Sequence, residues 1–452
     1  MVKIKKICFS LILIIAVAFN ASAIDIATAL KFIPQVDNIK KIETNGFLES
    51  YSFTFEQPID HRNPDLGSFK QRVILQHNRQ SAPVVAVLEG YMIWGYTKSE
   101  PCEILNANQI IIEHRFFAES IPDDGIIPWE HLTIYNAAHD QHQIIQALKD
   151  KIYNNNKWVT TGISKGGQTT IFHRFFFPND VDVSVPYVAP LNLDFVDPRL
   201  QKNLNRLGSG KGKGAAIKIL AGNSDDAPKF LIRDFQTHCF ENIDELYAMF
   251  EKDVAKHGWQ YKSVGGAKRA LELMILEYPF AFWQGGESVS AIPNADVDGN
   301  EDFYAHLTKV SPPSFFEDSE IETFRPFFYQ ALTEIGFYDY KVRPFKKYLP
   351  NDKKDITFEF CLDEAAAKAA AKIEYNPKKM RYIAKWLQEE AKKMIFIYGG
   401  NDAWSGTQVN LKGNPFCYKF VCEGKAHGAC IEDFEQITST YIKTKLNDWM
   451  NN

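Results

Sequence analysis

The stretch KWVTTGISKGGQTTIFHRFFF, Lys157 to Phe177, reads as a strand, a glycine-rich turn and a helix. Ser164 sits at the turn, with Gly162 and Gly166 two residues to either side. A serine on so sharp a strand-to-helix turn needs such neighbours, because the tight backbone leaves no space for a β-carbon there. The turn lifts the hydroxyl above the sheet at a helix N-terminus, where backbone N–H groups favour developing negative charge. This segment predicts an α/β fold with a nucleophile at the carboxyl edge of a strand.

Working outward, SYSFTFEQP, SFKQRVILQH, PVVAVLEG, NQIIIEHRFF and VDVSVPYVAP are runs rich in Val, Ile, Tyr or Phe, bounded by turn residues, and read as strands. LTIYNAAHDQHQIIQALKDKIY repeats apolar positions at Ile134, Ala138, Ile145, Leu148 and Ile152, the period of a helix. Strands alternating with helices predict a largely parallel sheet. From Phe195 to Glu390 helical patterns take over, as in DELYAMFEKDVAKHG and GAKRALELMILEYPFAFW, and the α/β texture returns at MIFIYGG and NPFCYKFVCEG. The reading is an α/β-hydrolase core, residues 24–194 and 391–452, with a large helical cap inserted at 195–390. Within that block GSGKGKG, Gly208 to Gly214, is a poor phosphate loop, since no strand feeds it and no Lys-Ser/Thr pair closes it.

Asp402 lies just past MIFIYGG and His427 just past the next strand, so Ser164, Asp402 and His427 follow the chain order this architecture uses. Each has a plain alternative, a turn former for Asp402 and a surface loop residue for His427. Taken together they form a catalytic set: His427 takes the proton of Ser164, and Asp402 holds the imidazole in the right tautomer. The expected oxyanion donors are the Lys165 amide and, from the LEGY loop, the Tyr91 amide, with Gly90 allowing close backbone approach. Cys417, Cys422, His427 and Cys430 offer ligand types for zinc, but the first two straddle a strand, and no metal or other cofactor is expected. Asn294, Asp296, Asp298 and Gly299 imitate half a calcium loop, yet position twelve is Ala305 rather than Glu.

MVKIKK, an apolar run from Ile7 to Phe19, and Ala21-Ser22-Ala23 have the three parts of a signal peptide, residues 1–23, predicting export to the periplasm or beyond. The run is too short to span a bilayer. Without the leader's three lysines the chain carries 48 basic and 56 acidic side chains, a net charge of −8, which gives no global attraction to nucleic acid or an anionic membrane surface. Six cysteines remain, and an even count in an exported chain predicts up to three disulfides of unassigned pairing.

FEQPIDHRNPDLGSFKQRV (Phe55 to Val73), EHRFFAESIP (Glu113 to Pro122), TGISKGGQT, VPYVAP and QALTEIGFYDY (Gln330 to Tyr340) resemble the secreted bacterial PS-10 family of serine peptidases. That family is related to lysosomal Pro-Xaa carboxypeptidases and to dipeptidyl peptidases that cleave after proline. The resemblance implies a serine exopeptidase that releases short pieces from oligopeptide N-termini, often at proline, with Ser164, Asp402 and His427 as its catalytic residues. Lys165 stands where the lysosomal relatives tend to carry an aromatic residue. Rings of the cap, Trp283, Phe328 and Phe337 among them, suit the walls of a proline pocket. A terminal ammonium needs a carboxylate, for which Glu334 and then Glu113 are the candidates. The rival readings are a carboxylesterase or lipase on the same fold and a catalytically silent binding protein.

Overall fold

The computed structural model describes residues 25–209 and 228–451; the expected leader, its cleavage point before Ile24 and most of Gly208 to Gly214 lie outside them. Nine strands form one sheet among the described residues, in the order β1-β2-β3-β5-β4-β6-β7-β8-β9. These are β1 (Val36–Ile42), β2 (Glu49–Pro58), β3 (Ser68–His77), β4 (Val84–Leu88), β5 (Asn108–Ile112), β6 (Trp158–Ile163), β7 (Val183–Tyr187), β8 (Met394–Gly399) and β9 (Cys417–Cys422). β1, β2, β3 and β5 pair antiparallel, while β5, β4, β6, β7, β8 and β9 pair parallel. The crossover of β4 and β5 followed by parallel strands is the topology of an α/β-hydrolase core. β4, β5, β6, β7 and β8 are buried along nearly their whole length, as strands covered on both faces must be.

Helices α1 (Ile26–Lys31), α2 (Glu100–Leu105), α3 (Ile134–Lys151) and α4 (Lys165–Phe176) cover the core. Between β7 and β8 come α5 (Pro198–Leu207), α6 (Pro228–Glu241), α7 (Ile243–His257), α8 (Ala267–Gly285), α9 (Asn300–Val310), α10 (Asp318–Gln330), α11 (Glu364–Ala370) and α12 (Lys378–Glu389); α13 (Gln436–Asn451) ends the chain. One apolar cluster runs without a break from Phe172 on α4 and Phe396 on β8 into Met274, Phe282 and Phe328 of the inserted helices. The helices are therefore packed into the core rather than attached by a linker. No described helix is long and apolar enough to cross a membrane.

The structure departs from expectation in two places. β1 is an extra edge strand whose charged sequence VDNIKKI offers no apolar face, and Asp37, Lys40 and Lys41 blunt a lone sheet edge. The expected disulfides are not formed: Cys102, Cys239, Cys361, Cys417, Cys422 and Cys430 are all free thiols. Cys417 and Cys422 begin and end β9, too far apart to bridge, and Cys102, Cys422 and Cys430 donate to Ala107 O, Asp433 O and Asp433 Oδ2.

Candidate active site

Ser164 follows β6 directly and caps α4 with φ 57° and ψ −119°, a strained conformation for a residue with a side chain. The two glycines permit it. A β-carbon on Gly162 would run into the Gly166 carbonyl, and one on Gly166 would lie 2.7 Å from Leu88 O. Ser164 N–H donates to Tyr187 O at 2.9 Å, which ties the turn to β7. Its hydroxyl has no hydrogen-bond partner among the described residues. The preceding Ile163 is 66% exposed, so the surface beside the turn is open.

Asp402 and His427 meet. His427 Nδ1 lies 2.9 Å from Asp402 Oδ2, and Asp402 is fully buried. The acid's other oxygen accepts Trp404 N–H at 3.0 Å, so neither lone-pair set is left facing an apolar wall. The carboxylate so held fixes the imidazole through Nδ1 and leaves Nε2 without a partner among the described residues. Gln284, at the end of α8, braces both loops: its side-chain oxygen accepts Trp404 Nε1–H at 2.9 Å and its carbonyl accepts His427 N–H at 3.3 Å. Nothing in the sequence around Gln284 signals this bracing, because both partners are more than a hundred residues downstream.

Gly90 packs against the turn so closely that an added β-carbon would lie 2.6 Å from Lys165 Cβ and 2.7 Å from Gly166 N. The backbone N–H groups of Tyr91 and Lys165 have no acceptor among the described residues. Tyr91 is held by rings on three sides, Phe117, Phe324 and Phe327. Lys165 is 3% exposed, and burial holds its amine well below the usual lysine range.

The two carboxylates expected to receive a substrate ammonium each have a structural task. Glu334, in the wide turn Ala331–Ile335, accepts Ile134 N–H at 2.8 Å, capping α3, and pairs with Lys379 at 3.0 Å. Glu113 accepts Ile93 N–H at 3.0 Å and the Ser120 hydroxyl at 2.8 Å, fixing the loop after β4; burial raises its carboxyl. Glu89, not singled out from sequence, has no side-chain partner among the described residues. Burial, and then the neighbouring Glu113, push it up to about 7.

Of the expected pocket rings, Phe337 packs on Phe327 at 5.2 Å and on Trp404 at 5.3 Å, which links the Tyr91 loop to the Asp402 loop through cap aromatics. Phe328 stacks on Phe358 inside the cap. Trp283 lines a cleft of about 870 Å³ together with Phe280 and Tyr338, and neither Ser164 nor His427 borders it.

The two sequence motifs FEQPIDH and EHR interlock. Arg115 makes a bidentate pair with Asp140 at 2.7 and 2.8 Å and also donates to Pro58 O and Ile59 O, while His61 reaches the same Asp140 at 2.7 Å. Gln57 donates to Asp140 O, and Gln71 donates to Glu113 O. They build the sheet edge rather than touch Ser164.

Comparison with known proteins gives the family. The family model described as PS-10 peptidase S37 matches residues 19–451. The chain is 30% identical over 433 residues to the prolyl tri/tetrapeptidyl aminopeptidase of Streptomyces mobaraensis, covering 92% of this chain and 83% of that one. It is 28% identical over 154 residues to the lysosomal Pro-X carboxypeptidase of Mus musculus, 30% and 31% of the two chains. Among solved structures, the α/β-hydrolase GrgF of Penicillium sp. sh18 aligns with 10% identity and a TM-score of 0.39, covering 90% of this chain and 100% of that one. With a family model spanning nearly its whole length and a relative aligned end to end, the chain belongs to the PS-10 peptidase S37 family and is a serine peptidase on an α/β-hydrolase core.

Proposed function

We propose that this peptidase is an exported exopeptidase that releases short peptides from the N-termini of oligopeptides, with preference for proline at the cut. The reading rests on the strained Ser164 turn, on the Lys165 and Tyr91 N–H groups that have no acceptor among the described residues, and on the buried Asp402–His427 pair past the ends of β8 and β9. His427 removes the Ser164 proton as the oxygen attacks the scissile carbonyl, and Asp402 stabilises the imidazolium. The Lys165 and Tyr91 amides receive the oxyanion. His427 then protonates the leaving amine, and water releases the acyl fragment by the same route.

Proline preference is supported by the prolyl aminopeptidase activity of the Streptomyces relative and by the aromatic arch of Phe327, Phe337 and Trp404. A rigid, apolar ring is bound by flat walls without loss of hydrogen bonds. The ammonium anchor comes from Glu334, Glu113 or Glu89; only Glu89 has an unpartnered carboxyl. Export is supported by the leader pattern of residues 1–23.

The test compares a tripeptide amide carrying proline before the scissile bond, its N-acetylated form and a short acyl ester. We expect turnover of the free peptide to exceed that of the acetylated one by at least about 100-fold, the scale of one lost charge-assisted contact. We also expect fluorophosphonate labelling to vanish in Ser164→Ala. Turnover of the ester alone would replace the peptidase assignment with an esterase; labelling that survives Ser164→Ala would remove the nucleophile.

A further inference from the structure

Lys165 does more in this fold than follow the nucleophile. Its side chain turns back, away from solvent, and Nζ donates to the Gly90 carbonyl at 2.6 Å inside the protein. The same Nζ lies 5.6 Å from the Tyr91 ring centre and 5.5 Å from that of Phe117, with the Glu334 carboxylate and His114 within electrostatic reach. The Gly90–Tyr91 peptide is trans, as are all described peptide bonds. In a planar trans peptide the carbonyl and the N–H point in opposite directions. An amine that fixes Gly90 C=O on one side therefore fixes where Tyr91 N–H points on the other, and that N–H has no acceptor of its own.

We propose that the Lys165 side chain is a positioning residue for the oxyanion site: by holding the Gly90 carbonyl it aims the Tyr91 N–H at the point that the Lys165 N–H also faces. One residue thus supplies a donor through its backbone and sets the second through its side chain. The hydrogen bond to Gly90 O also polarises that peptide and strengthens Tyr91 N–H as a donor. Gly90 is needed because any β-carbon there would collide with Lys165 Cβ, parting the two strand ends. An aromatic residue in place of Lys165 has no ammonium to offer Gly90 and must set the loop by packing alone. This inference rests on the assignment of Ser164 as nucleophile.

The test is Lys165→Met, which keeps the length and apolar stem and removes the donor, with Lys165→Leu as the second variant. Rates are normalised to active sites titrated by saturating fluorophosphonate, so that loss of folded protein does not count. With a proline-ending tripeptide anilide we expect kcat to fall about 10- to 100-fold while KM changes less than about threefold, below the cost of deleting an oxyanion donor outright. The affinity of the matching tripeptide aldehyde, whose adduct carries the oxyanion, should fall by the same factor as kcat, and product peptide should bind unchanged. A variant with wild-type kcat and aldehyde affinity overturns the proposal, as does a loss confined to KM or to the titrated fraction. If Lys165→Met does not fold, Lys165→Leu carries the same readouts, and wild-type aldehyde affinity in it overturns the proposal equally. Wild type that neither labels at Ser164 nor cleaves the anilide counts instead against the proposed function.

Discussion

Two buried ionisable groups, one in the core and one in the cap, are handled in opposite ways. In the core, Arg115 and Asp140 are both fully buried and meet in a bidentate contact, with three backbone carbonyls on the guanidinium and His61 on the carboxylate. In the cap, Glu277 on α8 meets no cation among the described residues, accepts the Tyr338 hydroxyl at 2.9 Å beside Tyr340, and burial pushes its carboxyl up to about 8. The core spends partners to keep charge in place; the cap lets a carboxyl keep its proton. A region that rejects charge suits an uncharged side chain such as proline, while the strand ends that hold Ser164, Asp402 and His427 need fixed dipoles.

The largest effect should come from Asp402→Asn, which keeps the shape and removes the charge. We expect kcat/KM to drop about 10⁴-fold with an unchanged circular dichroism spectrum, since the amide no longer favours the imidazolium. A drop below tenfold would mean that the core site does not depend on a held charge. Next, Arg115→Met leaves Asp140 buried without its main partner and should cost about 3–5 kcal/mol in urea unfolding. A loss under about 1 kcal/mol would erase the contrast with the cap.

The smallest effect reverses sign. Glu277 holds its proton in the folded chain up to about 8, against an ordinary value of 4.5, so between those values folding retains a proton that the unfolded chain releases. Stability from this group is intact below pH 4.5 and is lost as pH rises through about 8. Glu277→Gln removes the penalty and should gain about 2–3 kcal/mol over wild type between pH 5 and pH 7, read from thermal or urea unfolding at both. A parallel pH dependence in both proteins would show that Glu277 is ionised and paired after all.

Much of the core was legible because β2 to β9 are apolar runs with clear turn punctuation, and because the Ser164 turn requires Gly162 and Gly166 by sterics alone. β1 escaped notice because a charged edge strand lacks the pattern that identifies strands. Asp402 and His427 were legible as residues just past strands, yet Gln284 was not, since it acts through partners far along the chain. Glu334 looked like a free carboxylate in an apolar segment; its partner Ile134 N–H lies 200 residues away, beyond the reach of any local pattern. Cysteine parity misled for a related reason, as a count carries no distances.

The apolar cluster that joins Phe172 and Phe396 to Met274 and Phe328 has a mechanical consequence. A roof sharing its beams with the floor cannot be raised without breaking both, so the inserted helices and the sheet should melt as one body.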